Sequence, residues 1–175
     1  MVNDRVDYKR FVWELKNVIN YNNANKEILF LCIGTNRIIG DSFGPVVGSV
    51  LKKYYHKSQK IKILGDLNNV VTYCNINEIL EKEKKENELI IVLDSALSTF
   101  NNIGKVFIQN RGLRYAECLK KKNKLIGDIS IKAVVGENAN SCAQNYKNLI
   151  NASYEKMYEM CNIVSSGIID VMNKI

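Results

Sequence analysis

The 175-residue chain has one proline, Pro45, one histidine, His56, and no apolar run of the roughly 18 residues a membrane span requires. Its first residues, Met1-Val2-Asn3-Asp4-Arg5-Val6-Asp7, lack the apolar segment of a signal peptide. The expectation is a cytoplasmic protein without a membrane partner. The five cysteines, Cys32, Cys74, Cys118, Cys142 and Cys161, are odd in number and contain no C-x-x-C pair, which argues against a disulfide framework and a zinc knuckle. A Ser-His-Asp or Cys-His triad needs its histidine in hydrogen-bond contact with the nucleophile. His56 instead falls at the end of a predicted helix, Tyr54-Tyr55-His56-Lys57, where a cation beside the helix dipole is a sufficient account. Neither a G-x-G-x-x-G pattern nor a P-loop is present, so no nucleotide cofactor is expected.

What remains is ordinary for a globular protein: 46% hydrophobic and 25% charged residues, in a length that suits one domain over residues 1–175. The net charge of +7 lies largely in dispersed lysines and in Lys120-Lys121-Lys122-Asn123-Lys124. Such a run reads as a solvated loop rather than a nucleic-acid surface.

The stretch from Ile28 to Pro45 stands apart. Ile28 to Ile33 is a short run of β-formers, expected to be a strand covered on both faces as in a parallel sheet. Gly34, Gly40 and Gly44 permit backbone conformations that a side chain would oppose. Asp41 and Ser42 suit a helix cap, and Pro45 suits a first helical turn. Strand, loop and helix in that order put Asp41 beyond the carboxyl end of a strand, where open α/β sheets place ligands.

Around this unit the spacing predicts an N-terminal helix from Arg5 to Tyr21, which with its turn to residue 24 packs outside the sheet. A helix is predicted over Val46 to Tyr55, a strand over Ile61 to Gly65, and a helix from Asn75 ending in the solvated Glu81-Lys82-Glu83-Lys84-Lys85-Glu86. A second strongly apolar run, Leu89 to Leu93, stops at Asp94-Ser95-Ala96-Leu97-Ser98. Strands follow at Val106 to Gln109 and Gly127 to Val135. From Ser141 a long amphipathic helix is expected, its Tyr146, Tyr154, Met157, Tyr158 and Cys161 lying on one core-facing stripe. Strands alternating with helices specify a three-layer α/β/α sandwich with a mostly parallel sheet.

If the strands carrying Asp41 and Asp94 are parallel neighbours joined by right-handed crossovers, the two aspartates emerge at the same edge. Two close carboxylates do not both ionise cheaply, so one serves as acid while the other activates water. The same pair is suited to a metal ion. Loop aspartates also cap helices and close Asx turns for local reasons alone. The Gly34-Thr35-Asn36-Arg37 turn is a candidate anion cradle on backbone amides.

Cys32-Ile33-Gly34-Thr35-Asn36-Arg37-Ile38-Ile39-Gly40-Asp41-Ser42-Phe43-Gly44-Pro45 resembles the signature of the sporulation protein YyaC family (DUF1256), usually C-I-G-T-D-R-S-T-G-D-S-L-G-P. The likeness continues through Val92-Leu93-Asp94-Ser95-Ala96-Leu97 and Gly127-Asp128-Ile129-Ser130-Ile131. That family is similar to the spore germination protease and, in fold, to the phosphorylase/hydrolase-like hydrogenase maturation endopeptidases. The resemblance implies Asp41 and Asp94 as a catalytic acid-protease-like pair, with Gly34, Thr35, Asn36, Arg37, Gly40, Ser42 and Ser95 around the substrate. It further implies a peptide or protein substrate such as small acid-soluble spore proteins, in the mother cell or forespore, with no cofactor. The alternative it leaves is a non-catalytic sporulation factor that binds a peptide or protein. A homo-oligomer is compatible with either. Asn36 departs from the signature's aspartate, and no histidine in the later half matches the nickel-holding histidine of the hydrogenase enzymes.

Overall fold

A computed structural model describes residues 8–22, 26–86, 88–114 and 125–174. The lysine-rich run at 120–124 and Cys118 lie outside the described residues. The apolar run forms β1 (Ile28–Cys32), buried at every position as expected for a strand covered on both faces. With β2 (Ile61–Leu64), β3 (Leu89–Ser98), β4 (Val106–Gln109) and a long strand (Ile129–Glu137) it builds a five-stranded sheet. A two-stranded ribbon, β5 (Leu113–Arg114) and β6 (Leu125–Ile126), precedes that long strand, which is therefore β7. The sheet order is β2-β1-β3-β7-β4, parallel except for β4, which runs antiparallel to β7.

Odd and even positions of the strands feed two apolar layers, as alternation demands. On one face Phe30, Cys32, Ile91, Leu93, Ile131 and Ala133 pack against α1 (Tyr8–Tyr21), α2 (Phe43–Tyr54) and α5 (Tyr154–Met172). On the other, Leu29, Leu31, Ile33, Ile90 and Val92 pack against α3 (Ile76–Glu83) and the ribbon residues Leu113 and Ile126. The result is the expected α/β/α sandwich, thick on the α5 side and thin on the α3 side. No helix among the described residues is long and apolar enough to cross a membrane.

Three details depart from the expectation. β3 does not stop at Leu93 but continues through Ser98, because β7 accompanies it beyond the end of β1. The expected single C-terminal helix is two: α4 (Cys142–Ile150) ends at Asn151, and Ser153 starts α5 by accepting a bond from the Lys156 N–H. Tyr146, Tyr154 and Tyr158, expected in the core, are 54%, 61% and 48% exposed, whereas Met157 and Cys161 are buried. The break takes Tyr146 off the α5 stripe, while Tyr154 and Tyr158, in the same helix as Met157 and Cys161, stack on each other outside it with ring centroids 6.0 Å apart.

Candidate functional site

The chain leaves β1 for β2 on one side and returns to β3 on the other, so the sheet order reverses between β1 and β3. The crevice beyond the carboxyl ends of two strands that part in this way is where open α/β sheets bind ligands. Both candidate aspartates come from these two strands.

After β1 the backbone passes through Gly34 at φ 140°, and a Cβ there would lie 2.0 Å from the Asp41 carbonyl oxygen. Only glycine fits, because the Thr35 N–H donates to that same carbonyl at 3.0 Å and closes the loop on itself. Asp41 ends a 3₁₀ turn, Ile39–Asp41, whose Gly40 lies against α4; a Cβ would meet the Leu149 carbonyl at 2.6 Å. Gly40 and Gly44 thus serve close approach, not an unusual backbone conformation as expected from the sequence. α2 starts at Phe43, with Pro45 inside its first turn and Ser42 at the cap position. Yet the Ser42 hydroxyl donates to the Ile39 carbonyl at 2.7 Å and gives the helix no side-chain cap.

The Asp41 carboxyl also leaves the helix alone. Its Oδ1 accepts from the Ser95 hydroxyl at 3.3 Å, a contact between residues 54 apart in the chain. Asp94 is not in an Asx turn; it lies within β3, one residue past the last pairing with β1, and is 6% exposed. Its Oδ2 accepts from the Tyr73 hydroxyl, carried by the loop between β2 and α3. Lys132 of β7 stands directly beside it in register.

Burial pushes Asp94 up to about 7; the Tyr73 hydroxyl opposes this, the negative charge of Asp41 adds to it, and the Ser95 N–H and Lys132 oppose it. Burial likewise pushes Asp41 up to about 6, against the Ser95 hydroxyl and Thr35 N–H, which favour its ionised form. Asp94 therefore keeps its proton to higher pH than Asp41 does.

Of the other residues expected around the substrate, Gly34, Thr35, Gly40 and Ser95 surround Asp41. Ser42 is buried and turned to Ile39, away from the pair. Asn36 and Arg37 are exposed on the loop; the Asn36 amide donates to the Leu67 carbonyl at 2.8 Å. The anion cradle loses most of its donors: the Gly34 N–H goes to Val71, the Thr35 N–H to Asp41 and the Arg37 N–H to the Thr35 hydroxyl. His56 follows the end of α2, its Nδ1 lying 3.0 Å from the Lys53 carbonyl. Were a cation bound, Asp41 and Asp94 are the carboxylates that would face it. No cluster of three or more His, Cys, Asp or Glu residues that could hold a metal occurs among the described residues.

Tyr73 and Lys132 are absent from the sequence expectation. Lys132 carried a signal, as a charge in the middle of the otherwise uncharged stretch Ile129-Ser130-Ile131-Lys132-Ala133-Val134-Val135. Tyr73 carried none, because its reach to Asp94 exists only once the loop after β2 folds over β3.

A mostly parallel α/β/α sandwich with buried aspartates following the two strands of its switch point defines the structural class. Residues 1–167 match the family model described as protein of unknown function DUF1256, and the chain belongs to that family. It is also 28% identical over 147 residues to the uncharacterized protein YyaC of Bacillus subtilis (strain 168), a match covering 83% of this chain and 69% of that protein.

Proposed function

We propose that the chain is an aspartate-dependent peptidase-like hydrolase of sporulating or germinating cells, acting in the mother cell or forespore cytoplasm. The observation that carries this reading is that Asp41 reaches the Ser95 hydroxyl, next in the chain to Asp94, and its charge acts on Asp94, with burial raising both above the usual carboxylate range. Asp41, the more readily ionised, takes a proton from water as the water oxygen attacks the peptide carbonyl carbon. Asp94 gives its proton to the departing amide nitrogen as the C–N bond breaks. The products are a carboxylic acid and an amine, and transfer of the proton from Asp41 to Asp94 restores the starting pair. With the loop amides mostly bonded, Lys132 is the cation placed to favour negative charge developing near Asp94.

Small acid-soluble spore proteins are the substrates suggested by the likeness of the Asp41 and Asp94 motifs to those of the germination protease. Incubating the purified chain with them should give cleavage with a bell-shaped pH dependence peaking between about 6 and 7. Asp41→Asn and Asp94→Asn should each lower the rate by about 100-fold or more. Equal, negligible cleavage by all three proteins across pH would remove the reading. It would leave a non-catalytic binding factor, which one detail favours: the Asn36 amide donates to Leu67, a structural tie where the signature has a carboxylate.

A further inference from the structure

We infer that the outer edge of β3 beyond Asp94, formed by Ser95–Ser98, receives an extended polypeptide as an added strand beside the carboxylate pair. The inference rests on the peptidase reading for the fate of the bound chain, and on backbone geometry for the binding itself.

β1 and β3 pair in register from Ile28 and Leu89 to Cys32 and Leu93, and the last bond between them runs from the Ile33 N–H to the Leu93 carbonyl at 2.8 Å. β1 then turns off at Gly34, and β3 continues paired only with β7, the Ile39–Asp41 turn packing against it at Ser95. The register shift after Ala96 places its extra residue, Val135, on β7, so the alternation along β3 is unbroken. Successive residues of a strand direct their N–H and C=O groups to alternate sides. Leu93 faces β1, and Ser98 faces β7, its carbonyl accepting from the Asn138 N–H at 2.7 Å. Ser95 and Leu97 therefore turn their carbonyls, and Leu97 its N–H, to the side that β1 has left. No other backbone group among the described residues bonds them on that side. Half-buried backbone donors and acceptors ordinarily find partners, and three in sequence along one edge are the template for another strand.

The edge also lacks the usual protection. Proteins guard free sheet edges with charge or proline. β2 at the sheet margin carries Lys62, which pairs with Glu83, and Lys60 precedes it. Ser95-Ala96-Leu97-Ser98 contains neither charge nor proline. It begins at the residue whose hydroxyl touches Asp41 and directly follows Asp94 in the chain, so a strand laid along it starts at the candidate site. Recognition through backbone groups selects for an extended, locally unfolded chain rather than for a particular side-chain sequence.

The probe is reduced, carboxymethylated α-lactalbumin, which stays unfolded in buffer, and the protein is Asp94→Asn, so that binding is read without turnover. Amide hydrogen exchange at Leu97 should slow by about tenfold or more at saturating probe. Leu97→Pro removes an N–H on the side where an edge strand tolerates proline, and should weaken binding about fivefold to tenfold. Absence of binding, or saturation with Leu97 exchange unchanged, overturns the inference; if Leu97→Pro fails to fold, the Leu97 exchange decides alone. Protection of Leu97 together with no cleavage by the unsubstituted protein leaves the docking edge standing and removes the hydrolase reading.

Discussion

Asp66 and Asp94 are alike in position and unlike in chemistry. Each follows the apolar part of a parallel strand, and their exposures are 5% and 6%. Burial alone would raise both. Around Asp66, however, Lys52 Nζ lies 2.6 Å from Oδ2, and the Asn68 and Asn69 N–H groups each donate to Oδ1 at 2.8 Å, which outweighs burial and holds the carboxyl below its usual range. Asp94 has the Tyr73 hydroxyl, a neighbouring carboxylate in Asp41 and a lysine only beside it in register, so burial prevails and the group rises to about 7. Partners, not depth, separate a carboxylate held ionised from one that keeps its proton towards neutrality.

The largest effect belongs to the organising site. Asp66→Ala strands two backbone donors and the Lys52 ammonium, and should lower unfolding free energy by about 2–4 kcal/mol in urea denaturation. Its pH signature has a definite sign. A depressed carboxylate contributes stability above its unfolded value of about 4, and that contribution is lost as pH falls through the folded value.

Asp94→Asn should act in the opposite direction, raising stability by about 1–2 kcal/mol at pH 8, where the native protein must keep a buried charge. Raised carboxyls contribute fully below about pH 4 and lose that contribution as pH rises through about 6 at Asp41 and about 7 at Asp94. Denaturation midpoints measured between pH 4 and 8 should therefore rise relative to the native protein as pH increases in this variant. A smaller change is expected from Lys52→Met, about 1 kcal/mol, because the lysine is half exposed and both backbone donors to Asp66 remain. Tyr73→Phe sharpens the contrast with the least disturbance: it should move the Asp94 titration to higher pH, since the lost hydroxyl favours the ionised form, and leave that of Asp66 in place.

Much of this arrangement was legible before folding. The apolar run before Gly34 reads as a doubly covered strand and the run before Asp94 as a second strand; the same-edge expectation depended on their parallel pairing, which β1 and β3 show. What the sequence withheld depends on which strand lies beside which. β3 passes Leu93 because β7 outlasts β1 as its neighbour, a matter of relative strand length that no local pattern encodes. The division of α4 from α5 turns on Ser153 as a cap in a segment whose apolar spacing still reads as helix. Asp41 and Ser42 carried a correct cap signal for the start of α2, yet tertiary contacts drew the carboxyl to Ser95 and the hydroxyl to Ile39.

The central claim, that Asp94 keeps its proton towards neutrality and that the charge of Asp41 contributes to this, is tested most directly by carboxyl ¹³C NMR titration of the native protein and Asp41→Asn from pH 3 to 9. The account predicts Asp94 titrating near 7 in the native protein and at lower pH in Asp41→Asn, where the neighbouring negative charge is gone. Titration of Asp94 near pH 4, or at the same pH in both proteins, would contradict it.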